Sequence, residues 1–409
     1  MDYQISRRQM LKGGSLIAVG LVAPRWLSSI AEADMVRARR GEKPLGDTIL
    51  VVCQFSGGND GLNCVIPYAD AKYRSLRPTI GISEDKVLKL NEHMGLHPNL
   101  APIQTLYKEG KVAIIQGVGY PHPNRSHFES MKIWQSASPE LKFTDGWIGR
   151  HLDQELKLGP LNPVVAVGLT NEQPLALRGE NVSVPCFASL QDVNALVGNA
   201  ETQELLRKVQ GNANHLTTEE QVVRNATDSA LNAMDILSKQ IGGYTPKQTY
   251  GTDQFGQGFK QIGQLIATSP ATRVVYFSSG GFDTHANQVA THEKLYSQFS
   301  AAVLAFQREL ESLGKADKVL LLTFSEFGRR AYENGSGTDH GKAAPMFLIG
   351  SKVKGGFYGP NPDLSNLDQG DVPFSIDFRQ MYATALDSWV GGDSETVLGQ
   401  KFEAMPVFN

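Results

Sequence analysis

Three cysteines in 409 residues, Cys53, Cys64 and Cys186, are too few and too scattered to imply a disulfide framework. Cys53 and Cys64 lie in or beside an apolar run, where a free thiol acts as a small core filler. Charge of one sign is also scarce. The formal net charge is −3 and no basic run exceeds Arg37-Ala-Arg-Arg40, which argues against nucleic acid as a partner. Long hydrophobic runs are missing too: Leu16-Ile-Ala-Val-Gly-Leu-Val-Ala23 is too short to span a bilayer comfortably. No internal repeat or low-complexity tract breaks the chain, and a hydrophobic share of 41 % is that of an ordinary globular protein.

What is present begins with an address. Ser6-Arg-Arg-Gln-Met-Leu-Lys12 resembles the twin-arginine export motif, with the short apolar run after it. Ala31-Glu-Ala33 then offers the small-x-small pattern that a signal peptidase reads. This order predicts a signal peptide over residues 1–33 that engages the twin-arginine translocation machinery. The mature chain, 34–409, would reach the periplasm or the exterior without a stable membrane span.

The mature part alternates strands with helices and reads as one α/β domain. Thr48–Phe55, Lys111–Val118, Pro163–Gly168, Arg273–Ser279, Val319–Phe324 and Ala344–Gly350 are apolar runs of strand length. A long helix over 287–313 carries an apolar stripe from Val289 through Tyr296, Phe299 and Phe306 to Leu313. His292 lies on that stripe, either as a further imidazole of a site or as a packed core residue. Val353–Gly359 reads as a turn-rich hairpin, and Asp377–Trp389 as the closing helix. A helical insertion is expected at about 190–250.

Coordinating side chains gather where these strands end. Asp60 sits in a glycine-rich loop after the first strand; Asp283 and His285 follow the fourth. Glu326 ends the fifth, with Asp339 and His340 shortly after it. In open α/β sheets such loops share one crevice. Carboxylates and imidazoles together suit a divalent metal: zinc, manganese, magnesium or calcium. Ser126 opens a helix between Arg125 and His127, either as a helix cap or as a nucleophile facing an anion.

Taken together, Gly57-Gly-Asn-Asp-Gly-Leu-Asn63, Arg125-Ser-His-Phe128, Gly280-Gly-Phe-Asp-Thr-His285, Phe324-Ser-Glu-Phe-Gly-Arg329 and Gly337-Thr-Asp-His-Gly341 resemble the exported bacterial family called domain of unknown function 1501. That family is grouped with the alkaline phosphatase and sulfatase superfamily. The resemblance implies a mixed or largely parallel sheet sandwiched by helices, and a two-metal esterase ancestry. It would place Asp60 and Ser126 on one metal and Asp283 with His285 on the other. Glu326 would stand at a carboxylate position, Phe327 where an imidazole is usual, and His340 at the final histidine. The alternative register puts Asp339-His340 on the Asp-His-Gly position. Either way one imidazole of the superfamily's set is absent.

The function this implies is hydrolysis of a small anionic phosphate or sulfate ester between two cations about 3.5–4 Å apart. Ser126 would be the nucleophile, Arg125 and Arg329 the anion clamp, and His127 an acid or a ligand. A rival reading is an exported, non-catalytic binding or assembly protein on a degenerate scaffold. A third is a metal-free serine hydrolase built on Ser126 and His127.

Overall fold

The computed structural model describes residues 46–190, 193, 228, 231–240 and 243–409. The leader expected over 1–33 lies outside them, as does most of the insertion expected at about 190–250, of which residues 231–240 are helical. Among the described residues, nine strands form the central sheet. They are β1 (Ile49–Phe55), β2 (Val112–Gly119), β3 (Ala166–Leu169), β4 (Cys186–Phe187), β5 (Val274–Ser279), β6 (Val319–Phe324), β7 (Ala344–Ile349), β8 (Gly356–Tyr358) and β9 (Ile376–Asp377). Their spatial order is β8-β2-β7-β6-β1-β5-β3-β4, with β9 also paired to β2.

The sheet is mixed and largely parallel. β1 runs parallel to both β5 and β6, and only β7 opposes its neighbours, β2 and β6. All seven residues of β1 are buried, which explains an apolar run without alternation. Helices cover both faces: α1 (Ala101–Lys108), α2 (His127–Ser136), α3 (Trp147–Leu158), α4 (Gln254–Thr268), α5 (Gln288–Ser312) and α6 (Phe378–Ala385). Val51, Cys53 and Phe55 pack with α1, α4 and α5, whereas Leu50 and Val52 pack with α2, α3 and α6. The alternation of β1 therefore separates two cores.

Two elements differ from expectation. Residues 353–359 form no hairpin; Gly356–Tyr358 adds to β2 as a parallel edge strand. The closing helix is α-helical to Ala385 and continues as a π turn over Leu386–Val390. His292 resolves as a core residue. It is 1 % exposed, 3.0 Å from Thr284 Oγ1, and burial pushes its pKa down to about 4.

Candidate metal centre

Because β1, β5 and β6 are parallel, their carboxyl ends open on one side and bring three loops together. The loop after β1 passes very close to the loop after β5. Gly57 has φ +124°, and a Cβ there would lie 2.3 Å from the Asp283 nitrogen, so only glycine fits. Its N–H donates to Glu326 Oε1 at 2.8 Å, tying the third loop to the first.

Among the described residues, ligating atoms of His127, Asp283 and His340 all lie within 4.8 Å of one another. His127 Nε2 is 3.4 Å from Asp283 Oδ2, and His340 Nε2 is 3.2 Å from Asp283 Oδ1. His285 joins from the rim, its Nε2 3.1 Å from Asp283 Oδ1 and 3.0 Å from His340 Nε2.

The far side of each ring fixes its tautomer. His127 Nδ1 is 2.8 Å from Glu326 Oε1, His285 Nδ1 3.0 Å from Asp339 Oδ1, and His340 Nδ1 2.7 Å from the Arg125 carbonyl oxygen. Carboxylate and carbonyl oxygens only accept, so each Nδ1 carries the hydrogen and donates. In the neutral rings, three Nε2 lone pairs are left facing one carboxylate. His127 Nε2 is buried and has no hydrogen-bond partner. Protons or a cation must lie among these atoms, and one divalent cation could serve His127, Asp283 and His340 together, with His285 at the rim. The donor set of two imidazoles and one carboxylate, with a third imidazole at its rim, fits such an ion, with Glu326, Asp339 and the Arg125 carbonyl orienting the rings.

Charge favours the same place. Burial works to raise the Asp283 carboxyl, but the hydrogen bond from Arg329, joined by one from His340 when that ring is protonated, outweighs it and holds the group at about 2. The hydrogen bond to Glu326 raises His127 above the ordinary imidazole range, against the effect of burial. Asp339 is held low chiefly by His285. Asp283 keeps 48 % of its side chain exposed, so the cluster is open on one side, as a catalytic metal site must be.

Asp60 does not join this group. It is fully buried, with Oδ2 2.5 Å from Arg77 Nη1, and Gln288 donates to the same oxygen. Its Oδ1 accepts from the N–H groups of Leu62 and Asn63, which makes Asp60 the cap of the turn Gly61–Cys64. Glu326 and Asp339, expected as ligands, stand one bond further out, behind His127 and His285. Arg329, expected at the substrate anion, is buried and donates to the carbonyls of Gly57, Gly58, Phe282 and Thr338 as well as to Asp283. It clips the three loops together.

Phe327, which the resemblance sets at an imidazole position, stacks on His340 with ring centroids 4.5 Å apart and lies 4.9 Å from the His127 ring. Ser126 is exposed at the start of α2, and its hydroxyl makes no capping bond. Arg125 forms an ion pair with the fully buried Asp371. Sequence reading passed over Arg77 and Asp371 because neither sits in a motif. An unpartnered buried Asp60 was the available hint that a cation such as Arg77 must be near.

Residues 116–401 match a family model described as "Protein of unknown function (DUF1501)"; the matched span contains His127, Asp283, His285 and His340, and starts after Asp60. No curated protein matches the chain in sequence. Similar solved structures include a protein in the alkaline phosphatase superfamily from Vibrio parahaemolyticus, 8 % identical with a TM-score of 0.40, covering 87 % of this chain and 69 % of that one. The PsFucS1 sulfatase from Pseudoalteromonas sp. is 11 % identical with a TM-score of 0.37, covering 94 % and 75 %. The phosphonate monoester hydrolase SpPMH from Silicibacter pomeroyi is 10 % identical with a TM-score of 0.34, covering 87 % and 77 %.

Proposed function

The chain belongs to the DUF1501 family of proteins of unknown function, and on that premise we propose that it is an exported hydrolase of phosphate or sulfate esters that works with one divalent cation. The observation that carries this reading is the trio of His127, Asp283 and His340, with His285 beside it, each ring anchored through Nδ1 and turning Nε2 toward Asp283. A donor set dominated by nitrogen favours zinc over manganese, and both over magnesium or calcium, which prefer oxygen ligands. Export rests on Ser6-Arg-Arg-Gln-Met-Leu-Lys12 and Ala31-Glu-Ala33. Among the described residues, no helix is long and apolar enough to cross a membrane.

His127, Asp283, His340 and His285 would hold the ion. Bound there, it supplies a Lewis acid that offsets charge on the non-bridging oxygens of the ester. Ser126, uncapped and next to His127, is the nucleophile. Its Oγ bonds to phosphorus or sulfur while its proton passes to solvent. The bond to the bridging oxygen breaks with the electron pair on that oxygen, which leaves as an alcohol after taking a proton from water. A second water then releases phosphate or sulfate and restores the serine. The side of the Arg125 guanidinium not paired with Asp371 can hold the anion.

Two measurements on one preparation of the exported protein test this: metal content, and turnover of 4-nitrophenyl sulfate and 4-nitrophenyl phosphate. One equivalent of zinc or manganese with turnover of either ester supports the reading. Bound metal without turnover of either supports the binding-protein reading instead.

A further inference from the structure

A cavity of about 570 Å³ opens at the carboxyl ends of β1, β3 and β5. Its volume falls within the range of roughly 300–1,000 Å³ typical of small-molecule sites. Its chemistry is unusual. Gln54, Gln135, Gln173, Gln254, Gln257 and Gln261 all line it, and Asn171 adds another side-chain amide. Among the described residues that line it, Glu172 is the one formally charged side chain, and there is no lysine, arginine or histidine. An anionic group would lack a cation here, so the charged part of any ligand belongs elsewhere.

The cavity is joined to the histidine cluster by covalent neighbours. Met131 lines it, and His127, Met131 and Gln135 follow one another at four-residue spacing along one face of α2. Ser56 and Gly280 also line it; Ser56 precedes the glycine that holds Glu326, and Gly280 leads into Asp283. The cavity therefore adjoins the elements that carry the cluster.

The amides are held in place before any ligand arrives. At the floor, Tyr276 donates to Gln54 Oε1, and Gln135 Nε2 lies 3.2 Å from the same oxygen. On the wall, Gln254 Nε2 donates to the Ser278 carbonyl at 3.2 Å, while its Oε1 accepts from Ser279 Oγ at 3.1 Å. Gln261 Oε1 accepts from the Leu190 N–H at 2.6 Å. Fixed amides present donor and acceptor together, which matches hydroxyl groups that also do both. A peptide would instead be read along a free strand edge or in apolar side-chain pockets, and this cavity opens at strand ends.

We propose that this amide-lined cavity binds a neutral, hydroxyl-rich carbohydrate chain, as the uncharged part of a substrate whose ester group sits at the histidine cluster. The identity of the neighbouring group rests on the ester-hydrolase reading above; the binding of carbohydrate does not require turnover.

The test is direct binding of uncharged maltohexaose, cellohexaose and xylohexaose to the full chain, by saturation-transfer NMR and calorimetry, with metal loaded and with metal stripped. At least one sugar binds in both states, and Asn171→Ala and Gln257→Ala each weaken it about three- to tenfold, the loss of one neutral hydrogen bond. Thermal melts show that both variants fold. No binding by any of the three sugars, or binding untouched by both substitutions, overturns the proposal, as does a neutral Gly-Ala hexapeptide that binds where the sugars fail. Sugar binding without turnover of any ester would sink the hydrolase reading and leave the carbohydrate site standing.

Discussion

His127 and Glu326 meet at 2.8 Å although 199 residues separate them, one at the start of α2 and the other just past the end of β6. The Glu326 side chain is fully buried and also accepts from the Gly57 N–H, so it cannot turn away. This contact makes Nδ1 of His127 a donor and leaves Nε2 for the site. A carboxylate in this position raises the basicity of a ligating ring and fixes its orientation.

Glu326→Gln keeps an acceptor for His127 but removes the charge and introduces an amide among donors already aimed at that carboxylate. Metal affinity is expected to fall about 10- to 100-fold, as for other losses of an orienting partner. Chelator competition on the purified protein measures it. Unchanged affinity would mean that Glu326 orients no ligand.

Asp60→Asn separates a structural carboxylate from a ligand. Replacing Asp60 leaves Arg77 buried beside a neutral amide, a change that costs about 3–5 kcal/mol when one partner of a buried pair is lost. The variant is expected to unfold at markedly lower denaturant while holding its metal. The reverse pattern, lost metal with unchanged stability, would restore Asp60 to the metal as the family resemblance implies.

Much of this architecture is readable from the residues. β1, β5, β6 and β7 announce themselves as apolar runs, and glycine-rich or charged loops mark their carboxyl ends. That is why Asp283, His285 and His340 read as sharing one crevice from the residues alone. The order of the groups within the crevice is a different matter. Glu326 and Asp339 look like ligands in sequence because a carboxylate carries no mark that tells a metal contact from a hydrogen bond to a histidine. Asp60 pairs with Arg77 across seventeen residues, at a spacing no motif encodes. Phe327 reads as a missing imidazole, yet its ring buttresses His340.

The raised pKa of His127 sets the sign of a pH effect in the metal-free protein. From about pH 6.5 upward, the unfolded histidine loses its proton while the folded one retains it until its higher pKa is passed. The folded state then binds more protons, so stability falls as pH rises through this window. A cation competes with that proton, so its stabilising effect should grow with pH. Melting temperatures between about pH 6 and pH 9, with chelator and with zinc, check both slopes against His127→Gln. A wild-type slope matching that of the variant would remove His127 from the account.

Asp371 holds Arg125 by an ion pair from a fully buried position. Asp371→Asn should free the guanidinium to sample other rotamers, with the effect falling on substrate capture. KM for an anionic ester is expected to rise roughly tenfold, about 1.4 kcal/mol, with a smaller change in kcat. Steady-state kinetics decide it, and Asp371→Glu should recover part of the loss. An unchanged KM would show that Arg125 does not touch the anion.

Ser126→Ala and Asp283→Asn distinguish the two parts of the proposed chemistry. Ser126 is assigned the role of nucleophile and not of ligand, so the alanine variant should retain its metal and fold while losing turnover by at least about a thousandfold, the scale of a lost nucleophile. Asp283 is the carboxylate that all three Nε2 atoms or their neighbours face, and its amide should lose both metal and turnover. Metal analysis and ester turnover on the same preparations give four readings. If Ser126→Ala keeps full activity while Asp283→Asn loses it, water rather than serine attacks the ester and Ser126 is only the start of a helix. If both variants turn over like the parent, the cluster is not a hydrolytic centre, because no other arrangement on these loops would survive the loss of its one shared carboxylate.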